Sequence, residues 1–343
     1  MKIVHIVFEM QTGGAETMLA DIANEQVKRG DDVTILIVNR QESDDVMSTI
    51  DPRVHIERFN RTPGAMPLLL MARLNARMLR MRPDIIHLHM HKLTGLLRVM
   101  RRRTLFTVHD LHMPMTYAAR SNMIAITEAV AEDVRSRVPN AKIEVISNGI
   151  NTGAISPRPA GAPHTPMRVV QVSRLVSDLK GQDILIDAAR LLKDRGIELA
   201  LTFIGEGTDL EMLKERARGL NATFTGKLTR KEIYAGLRDY DIMCHPARYE
   251  GFGLTVAEGM AAGLPLVVPE GGGPWEVADR GRLAEVFAPE SAQSCAAALE
   301  RIVSNYPAAL ERAARARAHV QARYSVARMV SDYAAAYRRL LTP

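Results

Sequence analysis

Two carboxylates frame a glycine-broken turn in the run Glu250-Gly251-Phe252-Gly253-Leu254-Thr255-Val256-Ala257-Glu258, with seven residues between them. The segment ahead of them, Tyr240 to Cys244, reads as a buried strand, and a helix opens near Leu254. Gly251 and Gly253 carry no side chain, so the backbone there can come close to a ligand. The first N–H groups of the helix lack internal partners and stand at the positive end of its dipole, which suits a phosphate. Glu258 falls about one helical turn in, at 3.6 residues per turn. Glu250 lies just before the turn, so two carboxylates flank one anion pocket. Carboxylates accept hydrogen bonds from hydroxyls, which riboses and sugars supply. A ligand with phosphate at its centre and a polyol at each end, such as a nucleotide sugar, fits that pattern.

The pattern continues through Gly259-Met260-Ala261-Ala262-Gly263-Leu264-Pro265-Leu266-Val267-Val268 and Gly271-Gly272-Gly273-Pro274. On these residues the chain resembles the retaining glycosyltransferases of family 4, of group 1 type. The resemblance implies the GT-B fold: α/β, with two Rossmann-like doubly wound parallel-sheet domains facing a central cleft. It also implies roles. Glu250 holds hydroxyls of the donor sugar, and Phe252, Gly253 and Leu254 offer backbone N–H groups, with Thr255 in the same donor-binding set. Glu258 binds the ribose. Gly226, Lys227 and Leu228 lie by the base, and Gly205, Glu206 and Gly207 border the nucleotide. His109, at the carboxyl end of a strand, touches the donor sugar, with Asp110 to orient it. Gly13 and Gly14 form a loop on the acceptor side.

Arg174 and Lys180 follow another strand end, where two cations would neutralise a diphosphate and stabilise charge growing on a leaving nucleotide. Their loop is one residue longer than the family's usual spacing. With these cations and a helix N-terminus in place of a divalent ion, no metal and no cofactor is expected. The resemblance further implies retention of anomeric configuration by front-face attack, the leaving phosphate taking the acceptor's proton. A UDP-sugar is favoured over a GDP-sugar on frequency in the family alone. The expected acceptor is a glycan or a lipid-linked molecule, in surface polysaccharide synthesis.

Length and composition set the frame for these residues. The 343 residues suffice for two domains, and an apolar content of 47% rules out general disorder. Cys244 and Cys295 match no zinc or redox spacing, no signal peptide is visible at Met1, and no apolar run reaches membrane-spanning length. A cytoplasmic setting is expected. The net charge of +6 is concentrated: between Arg58 and Arg103 eleven bases face one acid, Asp84. That window suits an anionic membrane surface and predicts a peripheral place on the inner face of the plasma membrane. A nucleic acid is the other anionic candidate. With aromatics at 5%, stacking on bases has little support. A glycosidase using Glu250 and Glu258 is the alternative enzyme.

The elements that must place these side chains alternate along the chain. Strands are predicted at Lys2–Phe8, Asp32–Val38, Val54–Phe59, Asp84–His89, Thr104–Val108, Asn122–Thr127 and Lys142–Ser147. Helices are predicted at Thr17–Arg29, Met66–Met81 and Glu128–Val138. His87, His89 and His91 alternate, which raises a metal as an alternative, though satisfied histidines at a strand end are the default. The prolines and glycines of Asn151 to Pro166 read as a linker. The second half restarts with strands at Arg168–Ser173, Ala200–Ile204 and Ala222–Thr225 and helices at Gly181–Arg195 and Asp209–Gly219. Thr229 to Glu232 reads as a capping box. The expected domains are 1–155 for the acceptor and 156–324 for the nucleotide sugar. A helical tail, 325–343, returns to the first.

Overall fold

The computed structural model describes residues 1–62, 67–115 and 122–342. The chain forms two compact units, one of Met1–Ile150 together with the segment from Val326 on, the other of Asn151–Ser325.

The first unit is built on seven parallel strands: β1 (Lys2–Val7), β2 (Asp32–Asn39), β3 (His55–Arg61), β4 (Ile85–Leu88), β5 (Thr104–Val108), β6 (Asn122–Ala125) and β7 (Lys142–Val145). They lie in the order β3-β2-β1-β4-β5-β6-β7. The central strands β4 and β5 are buried at every position, as expected of a parallel sheet covered on both faces. The order reverses between β1 and β4, and ligands of open α/β sheets bind beyond the strand ends at such a point. Gly13 follows β1, and His109 follows β5 directly. The last helix, Val326–Leu341, belongs to this unit, where Met329, Val330, Tyr333 and Tyr337 pack with Ile3, Met18 and Ile22.

The second unit repeats the plan with six strands: β8 (Met167–Val172), β9 (Leu199–Ile204), β10 (Asn221–Gly226), β11 (Ile242–Cys244), β12 (Leu266–Pro269) and β13 (Glu285–Phe287). Their order is β10-β9-β8-β11-β12-β13, with the reversal between β8 and β11. The loops carrying Arg174 and Glu250 leave those two strands.

Several boundaries differ from expectation. The first helix runs Gly14–Lys28, because Thr17 donates from its backbone and its hydroxyl to the Gly13 carbonyl (3.0 and 2.7 Å) from inside the first turn. The helix ending at Met81 is described from Pro67, and Met66 lies outside the described residues. The segment read as a linker is packed: Arg158 donates to the fully buried Asp241 (2.8 Å), and His164 lies 3.0 Å from the same carboxylate. The tail expected over 325–343 is the helix Val326–Leu341, preceded by two further helices, Ala292–Ser304 and Tyr306–Arg323, and Pro343 lies outside the described residues.

The histidine run resolves differently as well. The chain turns at Met90 into the short helix His91–Leu96, so His91 leaves the row. Its place is taken by His5 of β1, paired in register with His87. The ligand atoms of His5, His87 and His89 lie within 4.8 Å of one another. Each ring nitrogen already has a partner: Gln26 and His89 for His5, Tyr337 and Thr107 for His87, His5 and His109 for His89. Burial lowers the His5 and His109 imidazoles from 6.5 to about 4, and His87 and His89 well below 6.5.

These rings are therefore neutral in the folded chain and take up protons more readily when it unfolds. Their contribution to stability is complete above the unfolded value of 6.5 and is lost as pH falls towards about 4. Thermal scans should show the first unit's unfolding temperature already dropping between 6.5 and about pH 5, before carboxylates titrate. An unfolding temperature flat across that interval would contradict neutral burial.

Candidate functional site

The second unit gathers most of the predicted residues at the carboxyl ends of its strands. After β11 the chain runs through His245 to the turn at 250–253 and enters the helix Leu254–Ala262. Gly253 sits at φ +93°, a conformation that a side chain would strain. Gly273 is needed for closeness: a Cβ there would lie 2.5 Å from the Gly251 carbonyl and the Phe252 nitrogen. The Gly273 N–H donates to the Glu250 carbonyl (3.2 Å), so the glycine run that follows β12 braces the turn. Phe252 is buried edge-on against Tyr324, with centroids 5.5 Å apart, so its ring pegs the turn and leaves only its backbone to a ligand. The helix has no side-chain cap at Gly253 and no acid in its first turn. The N–H groups of Leu254 and Thr255 therefore stand at its positive end.

Glu250 is held by Lys180, whose ammonium lies 2.7 Å from Oε2. His245 Nε2 lies 3.6 Å from the same oxygen and has no hydrogen bond. Burial would raise the Glu250 carboxyl, but His245 and Lys180 outweigh it and hold it at about 2. The His245 ring is steadied by Thr255 Oγ1, 3.3 Å from Nδ1. Glu258 accepts from the Tyr234 hydroxyl (3.2 Å), which accepts from Arg230 Nε (2.8 Å). Arg174 is exposed and enters no ion pair among the described residues. Lys180, expected with Arg174 as a second cation for the diphosphate, is paired with Glu250.

The loop between Arg174 and Lys180 is tied down along its length. Leu175 N–H donates to Glu206 O (2.9 Å), and Ser177 donates from N and Oγ to Asp209 (2.8 Å each). A Cβ at Gly205 would meet Ser173 O at 2.0 Å, and one at Gly207 would meet Leu175 O at 2.2 Å. Both glycines are thus required by the close passage of two backbones. Gly205 N–H reaches the Gly226 carbonyl (2.9 Å), which places Lys227 and Leu228 at the next strand end. The loop contains a short helical turn, Ser177–Lys180.

Arg248 was not singled out from sequence. It grips both oxygens of Asp183 (2.8 Å each) and the Ser177 carbonyl (2.7 Å), while its N–H reaches the Leu179 carbonyl (3.0 Å). It therefore clamps the Lys180 loop to the Glu250 loop. An arginine two residues before the motif glutamate was the available signal.

The first unit places its own candidates separately. Gly13 is extended and precedes the first helix, and a Cβ there would crowd Glu16 Oε2 at 2.3 Å. His109 Nε2 meets His89 Nδ1 at 3.3 Å, and the Asp110 carboxylate accepts from the next N–H, that of Leu111 (2.9 Å).

The sequence holds an Asp-X-Asp triplet, Asp239-Tyr240-Asp241, which corrects the reading that none occurs. Asp241 is fully buried and accepts from Arg158, from the Arg168 N–H (2.8 Å) and from the His164 N–H (3.2 Å). Asp239 is exposed at the end of the preceding 3-10 turn. The pair is thus split between a structural ion pair and the surface.

Known proteins match this chain in sequence and in fold. The model of glycosyltransferase family 4 matches residues 12–154, and that of glycosyl transferases group 1 matches residues 155–319. A glycogen synthase of Mycobacterium tuberculosis is 38% identical over 181 residues, which cover 51% of this chain and 43% of the synthase. A GDP-mannose-dependent alpha-(1-6)-phosphatidylinositol dimannoside mannosyltransferase of the same species is 29% identical over 213 residues, 59% of this chain and 55% of that one. The chain thus spans about half the length of these curated relatives. Among solved structures, a glycosyltransferase from Rickettsia africae superposes with a TM-score of 0.83 at 17% identity, covering 99% of this chain and 98% of that one. HepE of Anabaena, in complex with UDP and glucose, gives 0.79 at 20% identity, covering 98% and 99%. These likenesses show the GT-B fold. With one model ending at residue 154 and the other beginning at residue 155, the chain belongs to the group 1, family 4 glycosyltransferases.

Proposed function

We propose that this protein is a retaining glycosyltransferase that moves a sugar from a nucleotide diphosphate, UDP in preference to GDP, to a glycan or lipid-linked acceptor of a surface polysaccharide. One observation carries the reading. Where the second sheet reverses its order, an uncapped helix N-terminus, an unpaired arginine and an ionised glutamate stand on two loops tied to each other. The helix N–H groups and Arg174 suit the diphosphate. Glu258 suits the ribose and Glu250 the donor sugar's hydroxyls, with Gly205 to Gly207 and Gly226 to Leu228 about the nucleotide. The nucleotide-sugar role thus falls to the second unit and the acceptor role to the first, with Gly13 and Gly14. HepE, with its bound UDP and glucose, supports the choice of base.

Charge grows on the diphosphate as the glycosidic bond breaks, and fixed cations stabilise it there. Glu250 is locked to Lys180, so it is a holder of hydroxyls and no free nucleophile. Retention then follows from attack on the face that the nucleotide leaves, with the departing phosphate taking the acceptor's proton. In a glycosidase Glu250, held at about 2, could not be the protonated acid, and hydrolysis of a simple glycoside without any nucleotide would mark that alternative. No metal takes part in this reading, because Arg174 and the helix N-terminus supply the positive charge. No nucleic-acid partner is proposed.

We place the protein at the cytoplasmic face of a membrane. No helix of the described residues is long and apolar enough to cross one. The helix Pro67–Met81 leaves Leu68 and Leu69 64% exposed and Leu79 55% exposed, and Arg73 and Arg80 are exposed on the same helix. Leucines beside arginines suit an anionic lipid surface. Arg58 and Arg77 are already paired with Glu42 and Glu57, so the working charge of the basic window is smaller than its count.

Transfer from UDP-sugars, assayed in excess chelator, should run at the full rate, and Glu250→Ala should lower turnover by about 3 kcal/mol, some hundredfold. Rescue of chelated enzyme by magnesium alone would overturn the metal-free reading, and near-normal transfer by the variant would overturn the role of Glu250. Co-sedimentation with vesicles should rise with their anionic lipid and weaken in Leu68→Ser/Leu79→Ser. Binding indifferent to lipid charge would remove the membrane placement.

A further inference from the structure

The buried histidines of the first unit form a directed chain. Gln26 Oε1 lies 2.8 Å from His5 Nε2, His5 Nδ1 lies 3.0 Å from His89 Nε2, and His89 Nδ1 lies 3.3 Å from His109 Nε2. Gln26 is 1% exposed, His5 0% and His89 2%, while His109 is partly exposed at the carboxyl end of β5. The chain thus starts in the sealed core and ends at the surface.

Its direction follows from its first member. The amide oxygen of Gln26 can only accept, so His5 carries its proton on Nε2 and offers a lone pair at Nδ1. His89 Nε2–H donates to that lone pair, which leaves His89 Nδ1 to accept. His109 Nε2–H donates to His89 in turn. The Gln26 amide nitrogen points the other way, towards the Tyr337 hydroxyl (3.4 Å). That hydroxyl lies 2.7 Å from His87 Nδ1, and His87 Nε2 lies 2.7 Å from Thr107 Oγ1. With this orientation all four imidazoles hold the proton on Nε2, the tautomer that histidine intrinsically prefers. Which nitrogen carries the proton is set by the bond that the other makes.

We propose that Gln26, His5 and His89 are positioning residues that act through His109. Their chain fixes His109 as the neutral Nε2–H tautomer and leaves its Nδ1 as a bare acceptor for a substrate hydroxyl. His109 Nδ1 has no hydrogen-bond partner among the described residues. Water cannot reset a proton pattern written in a core it does not enter. The effect on turnover rests on the glycosyltransferase reading given above; the tautomer does not.

The test labels the histidines of the full chain with 15N and identifies the His109 signals by their loss in His109→Ala. At pH 7 His109 should show a protonated Nε2 and an unprotonated Nδ1. A proton on Nδ1, or on both nitrogens, overturns the proposal. In Gln26→Leu the acceptor that sets the direction is gone: the His109 signals should shift towards a mixture of tautomers. Turnover should fall about tenfold at an unchanged donor KM, the scale of one hydrogen bond. Gln26→Glu keeps an acceptor at the same place and should restore both. An unchanged His109 spectrum in folded Gln26→Leu overturns the role of Gln26. Should the tautomer and its dependence on Gln26 hold while no nucleotide sugar is ever turned over, the proposed activity falls and the assignment stands.

Discussion

The second unit depends on the ion pair between Lys180 and Glu250. It joins the loop after β8 to the loop after β11, the two strands between which the sheet order reverses. Both side chains are largely withdrawn from solvent, so each charge requires the other, and neither loop can shift without uncovering one. Arg248 repeats the connection from the side through Asp183 and the Ser177 carbonyl. Around this joint, each glycine the passage requires removes a Cβ that would collide with neighbouring backbone. The same joint keeps Glu250 ionised, while Arg174 enters no ion pair among the described residues.

The first unit stores its polarity differently. Four imidazoles with lowered proton affinity sit among parallel strands, and each ring is hydrogen-bonded to another side chain. The terminal helix contributes Tyr333 and Tyr337 to that network, which ties the end of the chain to β4 and β5. One unit therefore joins its loops through paired charges, and the other holds its core histidines through neutral hydrogen bonds.

Much of this was legible in the sequence where a pattern was local. The buried runs of β1, β2 and β5 and the glycine turn at 250–253 announce themselves within a few residues. The edge strand Glu285–Phe287 does not, because three residues carry no period to read. The His5 partnership was hidden for another reason: β1 and β4 are neighbours only because the sheet reverses its order there, and no spacing along the chain states that. Composition also misled at 151–166, where prolines suggested a free linker while Arg158 and His164 anchor it to Asp241. The pairing of Lys180 with Glu250 was not legible, because its charge, read alone, suits a phosphate as well as it suits a carboxylate.

The central claim is that a nucleoside diphosphate binds the second unit at the Arg174 loop and the helix that begins at Leu254. Calorimetric titration of the full chain with UDP tests it most directly, against Arg174→Ala and Glu258→Ala. The account predicts saturable binding by the wild type and a loss of about tenfold in affinity in each variant, the scale of one charge-assisted hydrogen bond. Absence of binding by UDP, GDP and ADP alike, or UDP affinity untouched by both substitutions, would contradict it.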